Sequence, residues 1–263
     1  MNRWIGRFFE LINIGQMPRN IRGRLLCGKG IASAREGRYD QAVLHFSEAI
    51  RLNPNYGVAF VNRGRAWNET KQYDRAIEDL DEAIRLDPKS AEAFNIRGFA
   101  WNGKKQYDRA IEDLDQAISL DPRLADAFNN RGYAYSGKNQ YDRAIQDLDE
   151  AIRLNPRFAD AFNGRGYAYI EKRHHGRAIE DLDEAIRLNP QFASAFNNRG
   201  RAYSERGQYD RAIQDLGEAI RLNPEYGVAF INRGTALRAS GRRDLAEADF
   251  ARARELNAVS PVM

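Results

Sequence analysis

The chain has 263 residues, 43% hydrophobic and 30% charged, with a formal net charge of +4. No run of 18 apolar residues occurs, which argues against a membrane-spanning helix, and the single cysteine, Cys27, rules out an intramolecular disulfide and fits a reducing, cytoplasmic setting. The charge is uneven: up to residue 30, Arg3, Arg7, Arg19, Arg22, Arg24 and Lys29 face only Glu10, a balance of +5, while the other 35 basic and 36 acidic residues nearly cancel. Nucleic acid is therefore an unlikely partner, because such proteins carry a basic stripe along the binding face.

Residues 1–22 precede the repeating part of the chain. In a helix, Trp4, Ile5, Phe8, Phe9, Leu11 and Ile12 share one broad face, with Arg3, Arg7, Glu10 and Asn13 opposite. Gly15 and Pro18 end that helix. Arg7 and Glu10 interrupt the apolar run and no small-residue cleavage site follows, so the stretch does not read as a signal peptide. Two readings stay open. The helix caps the first repeat, or residues 1–20 attach to a membrane surface or a partner.

From Gly23 onward the chain maps onto itself every 34 residues. Pro54, Pro88, Pro122, Pro156, Pro190 and Pro224 each close a Leu-Asn-Pro or Leu-Asp-Pro run, and Gly64, Gly98, Gly132, Gly166, Gly200 and Gly234 each follow an arginine. A fixed period of this length marks a stacked repeat array, which grows by addition around no single centre. Seven repeats follow: 23–56, 57–90, 91–124, 125–158, 159–192, 193–226 and 227–260, with a tail at 261–263.

Each repeat reads as two helices. In the fourth they span roughly Ala125–Lys138 and Tyr141–Leu154, with Gly137 and Asn139 supplying the turn. Asn155-Pro156 marks the stop, since proline cannot continue a helix. Phe128 and Tyr135 share one face of the first helix; Ala144, Leu148, Ala151 and Ile152 line one face of the second. Gly132 sits mid-helix, where glycine costs about 1 kcal/mol relative to alanine. Close backbone approach is the expected reason, with Ala144 as the small residue opposite. The first repeat is atypical: Cys27, Gly28, Gly30, Ser33 and Ala34 leave room for a neighbour, and the N-terminal arm is the expected one. In the seventh, Arg243, Glu247 and Arg254 stand where Tyr141, Ile145 and Ile152 stand in the fourth, a charged face expected to end the array at seven.

Phe60-x2-Arg63-Gly64-x2-Trp67, followed by Ala76-x3-Leu80, Ala83 and Pro88, resembles the tetratricopeptide repeat (TPR), and the pattern recurs over nearly all of residues 23–260. The resemblance implies an all-α fold, a right-handed α-solenoid of antiparallel helix pairs. One departure recurs: an arginine precedes the glycine, at Arg63, Arg97, Arg131, Arg165, Arg199 and Arg233, where the family often has leucine. Sixteen residues later come Asp79, Asp113, Asp147, Asp181, Asp215 and Asp249. Antiparallel helices bring each pair to one height, so a column of Arg–Asp pairs is expected between helix layers. Lys29 and His45 interrupt it in the first repeat.

The resemblance also places ligands on the concave face lined by first helices. The rows there are Asn62, Asn95, Asn129, Asn130, Asn163, Asn197, Asn198 and Asn232; then Arg65, Phe99, Tyr133, Tyr167 and Arg201; then Glu92, Asp126 and Asp160. Asparagine both donates and accepts, so it can hold a peptide backbone without reading its sequence. The acidic row favours a protein or peptide segment carrying Lys or Arg. The lysine-rich pattern with which one TPR subclass grips chaperone C-termini is missing. His174 and His175 replace a Gln-Tyr pair, and no spacing completes a metal site. No phosphate loop, nucleophile elbow or enclosed carboxylate pair is present. The expectation is a non-catalytic protein-interaction scaffold of bacterial type, without metal or cofactor. The alternative is a membrane-peripheral or self-associating adaptor acting through its N-terminal helix.

Overall fold

The structure, a computed structural model, describes residues 18–259; the expected helix over residues 4–12 and the tail at 261–263 lie outside them. Among the described residues the chain is an all-α repeat solenoid of fourteen helices. It divides into two units, residues 1–122 and 123–263. The first contains three helical hairpins: α1 (Arg19–Arg35) with α2 (Tyr39–Leu52), α3 (Gly57–Glu69) with α4 (Tyr73–Leu86), and α5 (Ala91–Gly103) with α6 (Tyr107–Leu120). The second contains four: α7 (Ala125–Gly137) with α8 (Tyr141–Leu154), α9 (Ala159–Glu171) with α10 (His175–Leu188), α11 (Ala193–Glu205) with α12 (Tyr209–Leu222), and α13 (Gly227–Ala239) with α14 (Arg243–Val259). At 17 residues α1 is longer than the 13-residue first helices that follow, and it begins before Gly23.

Each hairpin turns at one residue of positive φ. Glycine takes that place at Gly37, Gly207 and Gly241, but Lys71, Lys105, Asn139 and Arg173 take it in the other four, at φ 58–59°. The sequence reading is corrected here, because Gly137 is the last helical residue of α7 and Asn139 alone makes the left-handed turn. The Gln140 N–H then donates to the Tyr135 carbonyl at 2.8 Å, closing the helix end. Each second helix stops for a local reason as well. Asn155 is extended, as a residue before proline must be. Its Oδ1 accepts from the Arg157 N–H at 3.1 Å, and Asn53, Asp87, Asn189 and Asn223 do the same two residues ahead. Only a short side chain with an acceptor closes this turn, which explains Asn or Asp before each proline.

The core of a hairpin is a glycine under a leucine. A Cβ on Gly132 would sit 2.8 Å from Leu148 Cγ and 3.3 Å from the Ala144 carbonyl oxygen. The close neighbour is therefore chiefly the Leu148 side chain, and Ala144 contributes backbone rather than smallness. Leu148, like Leu80, Leu114, Leu182 and Leu216, is fully buried, worth about 1.5–3 kcal/mol each. Where phenylalanine replaces the leucine, at Phe46 and Phe250, the ring lies over Gly30 and Gly234 in the same way.

The Arg–Asp column is present. Arg165 Nε and Nη2 donate to both oxygens of Asp181 at 2.8 and 2.6 Å, and the same fork joins Arg63–Asp79, Arg97–Asp113, Arg131–Asp147, Arg199–Asp215 and Arg233–Asp249. The third nitrogen reaches back one repeat: Arg97, Arg165 and Arg199 donate through Nη1 to Asp81, Asp149 and Asp183 at 2.5–2.6 Å. Each guanidinium also lies over the phenylalanine three residues earlier, Phe162 at 5.6 Å for Arg165. This column sets both the hairpin and its stacking on the preceding one. In α14, Arg243, Glu247 and Arg254 are exposed.

Candidate functional site

First helices of successive repeats pack directly on one another within the second unit, α7 on α9, α9 on α11 and α11 on α13. Their shared surface is the inner side of the stack, and the residues on it differ from repeat to repeat.

The asparagine rows are not uniformly available to a ligand. Asn95, Asn129, Asn163 and Asn197 are 3–9% exposed. Two of them hold the next repeat: Asn198 Nδ2 donates to Asn163 Oδ1, and Asn232 Nδ2 donates to Asn197 Oδ1, both at 2.9 Å. Asn197 Nδ2 adds a bond to Asn198 Oδ1 at 3.3 Å. The result is a ladder of amides between helices. It breaks at one rung. The residue that would donate to Asn129 is Gly164, and the buried Asn129 Oδ1 accepts no hydrogen bond. A Cβ at Gly164 would meet Leu148 Cδ2 at 3.2 Å and the Tyr133 ring at 3.6 Å, so this notch has an apolar floor and an aromatic wall. In the first unit, Asn62 Nδ2 turns back to its own helix, to the Val58 carbonyl at 2.8 Å. Asn130 is half-buried.

The aromatic row splits similarly. Phe99 and Tyr133 are 43% and 40% exposed, Tyr167 half-buried. Arg65 and Arg201, expected as cationic flanks, are already engaged. Arg65 pairs with Glu92, itself an expected groove residue. Arg201 holds Glu171 at 2.6 Å and Glu205 at 2.9 Å. The second unit therefore offers no free arginine in this row.

The electrostatics gather around Tyr133. Crowding by the inner wall pushes its phenol up to about 12; the Asp160 and Tyr226 charges add to this, while a hydrogen bond with Asn163 opposes it. Desolvation likewise raises the Asp160 carboxyl above the usual aspartate range, opposed by a backbone hydrogen bond and reinforced by Asp126. Asp126 and Asp160 are both exposed, and their like charges lie close enough to act on one another, an arrangement that a cation relieves. Tyr167 is also pushed up to about 12, by desolvation and then by Glu171 and Tyr141, with Arg201 opposing. Tyr226, Glu171 and Glu205 were not among the expected groove residues. The signal for Tyr226 was present: the place before each first helix reads Tyr56, Ser90, Leu124, Phe158, Phe192, Tyr226, a varying column. Among the described residues, no three His, Cys, Asp or Glu side chains converge to hold a metal ion, and no helix is long and apolar enough to cross a membrane.

The comparisons with known proteins agree with this geometry. Family profiles described as tetratricopeptide repeat or TPR repeat match residues 27–91, 104–138, 125–158, 159–192 and 193–226. Together they cover well over half the chain, and the protein belongs to the tetratricopeptide repeat family. No match is found among curated proteins. A tetratricopeptide repeat protein from Parabacteroides merdae superposes with a TM-score of 0.68 at 18% identity, covering 89% of this chain and 93% of that one. The APC/C hetero-tetramer Cut9–Hcn1 gives a TM-score of 0.76 at 19% identity over 90% of this chain and 44% of its own. YrrB, described as a TPR protein with an unusual peptide-binding site, gives 0.51 at 23% identity over 70% of this chain and 95% of its own. At these identities the likeness is one of fold. Such repeats serve as scaffolds for protein–protein interaction.

Proposed function

We propose that this chain is a non-catalytic scaffold that grips an extended, Lys- or Arg-containing segment of a partner protein on the inner face of residues 123–259. The observation that carries the reading is the conjunction at α7 and α9: a buried acceptor without a donor on Asn129, an exposed Tyr133 beside it, and the exposed, mutually repelling carboxylates of Asp126 and Asp160. A peptide N–H or a lysine ammonium supplies the missing donor, and its charge relieves the aspartates. Each such bond contributes about 0.5–1.5 kcal/mol, more when the donor is charged. Tyr133 gives the contact area, as aromatic side chains do at protein interfaces. That YrrB is a peptide binder on the same fold is in keeping with this.

The test is selection from a random peptide display library. Enrichment of Lys and Arg on the wild type, lost on an Asp126→Ser/Asp160→Ser variant of equal helicity, is the expected result. Identical selections on both proteins would sink the reading.

A second reading, a membrane-peripheral or self-associating adaptor, draws on the +5 balance of residues 1–30 and the aromatic face of residues 1–20. Flotation with anionic vesicles compares the full chain with a form lacking residues 1–20. Equal behaviour removes the membrane version.

A further inference from the structure

His174 and His175 lie at the turn between α9 and α10, and nothing in the proposed groove uses them. The turn they occupy differs from its counterparts in one respect that bears on charge. In the second, fourth and sixth repeats the second helix opens with an aspartate that pairs with a cation of the next repeat: Asp74 with Lys104, Asp142 with Lys172, Asp210 with Arg242. The fifth repeat has Gly176 at that place, so the first turn of α10 carries no acidic residue. The cation at the matching place of the sixth repeat, in register with Lys104 and Lys172, is Arg206. Among the described residues it forms no ion pair.

Two further guanidinium groups gather beside it. Arg173 holds the turn at φ 59°, and among the described residues no carboxylate pairs with it. Arg177 lies over the Tyr169 ring at 5.7 Å, which leaves its charge uncompensated. With His174, His175 and Gly176 these arginines line an open concavity of about 540 Å³. Glu205 stands 3.7 Å from His175 Nδ1 but is already held by Arg201 at 2.9 Å. Meanwhile His175 Nδ1 is buried without a hydrogen-bond partner. The 14-residue α10 begins here with no side-chain cap, and Gly176 of its first turn lines the same space.

The next turn is an internal control. A concavity of about 510 Å³ between the sixth and seventh repeats is lined by Gln208, Tyr209, Asp210 and Arg242 among others, and there the chain supplies its own anion, Asp210, to Arg242. The fifth repeat keeps the cations and omits the anion.

We propose that the concavity at the α9–α10 turn is an anion-binding site that takes a phosphate monoester carried on a protein partner. Arg173, Arg177 and Arg206 hold its oxygens, and the phosphate takes the place of the aspartate that other repeats carry in the first turn of the second helix. Three uncompensated guanidinium groups suit a dianion better than a single carboxylate, since each presents a planar fork of donors to an oxyanion. The helix N-terminus adds partial positive charge on the same side. The proposal does not depend on the inner-face groove and uses none of its residues.

The full-length protein is titrated by calorimetry with a phosphoserine peptide, with the same peptide unphosphorylated, and with inorganic phosphate. The key variant is Gly176→Asp, which restores the aspartate of the other repeats. Nothing lies within 4 Å of a Cβ at Gly176, so the variant folds without a clash. The expected result is binding of the phosphopeptide at least tenfold tighter than of its unphosphorylated form, weakened at least tenfold by Gly176→Asp and by Arg206→Gln, and falling with added salt. Gly176→Asp should leave thermal stability equal or higher. Phosphopeptide binding tighter than inorganic phosphate supports a protein-borne group; equal affinity for inorganic phosphate keeps the anion site but overturns the protein-borne source. Equal binding of the two peptides, or unchanged phosphopeptide binding in Gly176→Asp, overturns the proposal.

Discussion

From the second repeat on, each first helix carries an arginine and, one or two residues before it, an amide position, and the two have opposite fates. The arginine at Arg63, Arg97, Arg131, Arg165, Arg199 and Arg233 keeps its forked bond to an aspartate in all six repeats, with the guanidinium about one-fifth exposed and the carboxylate a tenth or less in the case of Arg165 and Asp181. The amide positions drift: Asn198 and Asn232 make ladder rungs, Gly164 makes none, and Ile96 replaces the amide altogether. The difference follows from what each loss leaves behind. An orphaned buried charge destabilises strongly, so each of these six repeats keeps both partners. An orphaned neutral amide costs only about 1–3 kcal/mol, and a partner protein can satisfy it. Uniform rows therefore hold the stack, and uneven rows are where a ligand finds something unfinished.

The strongest way to break the contrast is Asp181→Ala. It strands the Arg165 guanidinium and should destabilise by about 3–5 kcal/mol in urea unfolding. The double change Arg165→Met/Asp181→Leu sharpens the point, because it should recover most of that loss. Burial raises the Asp181 carboxyl above the usual aspartate range even with Arg165 beside it, and raises Asp79 likewise. With the folded pKa raised, the folded state takes up protons first. The contribution of these two groups is fully present below the ordinary aspartate pKa, about 4, and is lost as pH rises through their raised values. Mild acid should therefore not break the Arg63–Asp79 and Arg165–Asp181 pairs early.

Next comes Gly132→Ala. Helix propensity favours alanine by about 1 kcal/mol, but the new Cβ meets Leu148 Cγ at 2.8 Å and the Ala144 carbonyl at 3.3 Å. Branch carbon and backbone cannot step aside as a flexible tip can. A net loss of about 1–3 kcal/mol is expected from chemical denaturation. A stabilised variant would show that the hairpin tolerates slippage that the six recurring glycines argue against.

The helix bounds and the Arg–Asp column were legible because they depend on local chemistry repeated at one period: proline stops, a glycine under a leucine, and opposite charges sixteen residues apart. The turn residue was not, since Lys71 and Arg173 adopt positive φ as Asn139 does, and the tight i→i+3 bonds that stabilise it leave no trace in residue type. The inner-face rows were legible as places but not as states. Sequence placed Arg65, Glu92 and Arg201 on that face, yet only coordinates show Arg65 spent on Glu92 and Arg201 on Glu171. The amide ladder depends on contacts 35 residues apart between side chains of one type, and pattern alone does not say whether an asparagine faces a ligand or its neighbour.

Gly164→Asn tests the unfinished rung. A donor at 164 should satisfy Asn129 as Asn198 satisfies Asn163, raising stability by about 0.5–1.5 kcal/mol, and should weaken any peptide selected on the inner face. Tightness against Leu148 Cδ2, 3.2 Å from the new Cβ, falls on a flexible methyl. Raised stability with unchanged peptide binding would separate the notch from the ligand.

The smallest effect lies where the charged column itself is incomplete. Arg97, Arg165 and Arg199 each reach back to an aspartate of the preceding repeat, but the place facing Arg233 is Gly217, whose Cβ would lie 3.8 Å from Arg233 Nη1. Gly217→Asp supplies the missing carboxylate within a helix interior. The counterparts Asp81, Asp149 and Asp183 are more than half exposed, so the pair should add only about 0.2–1 kcal/mol. Gly217→Ala gains helix propensity without the pair, by about 1 kcal/mol, and aspartate gains less on that count. If both variants are stabilised in low salt but only the aspartate variant loses part of its gain in high salt, the link to Arg233 has formed. If salt moves neither, the reach from one repeat to the next is geometry without energy, and the stacking of repeats rests on the buried alanine and leucine contacts and the amide ladder.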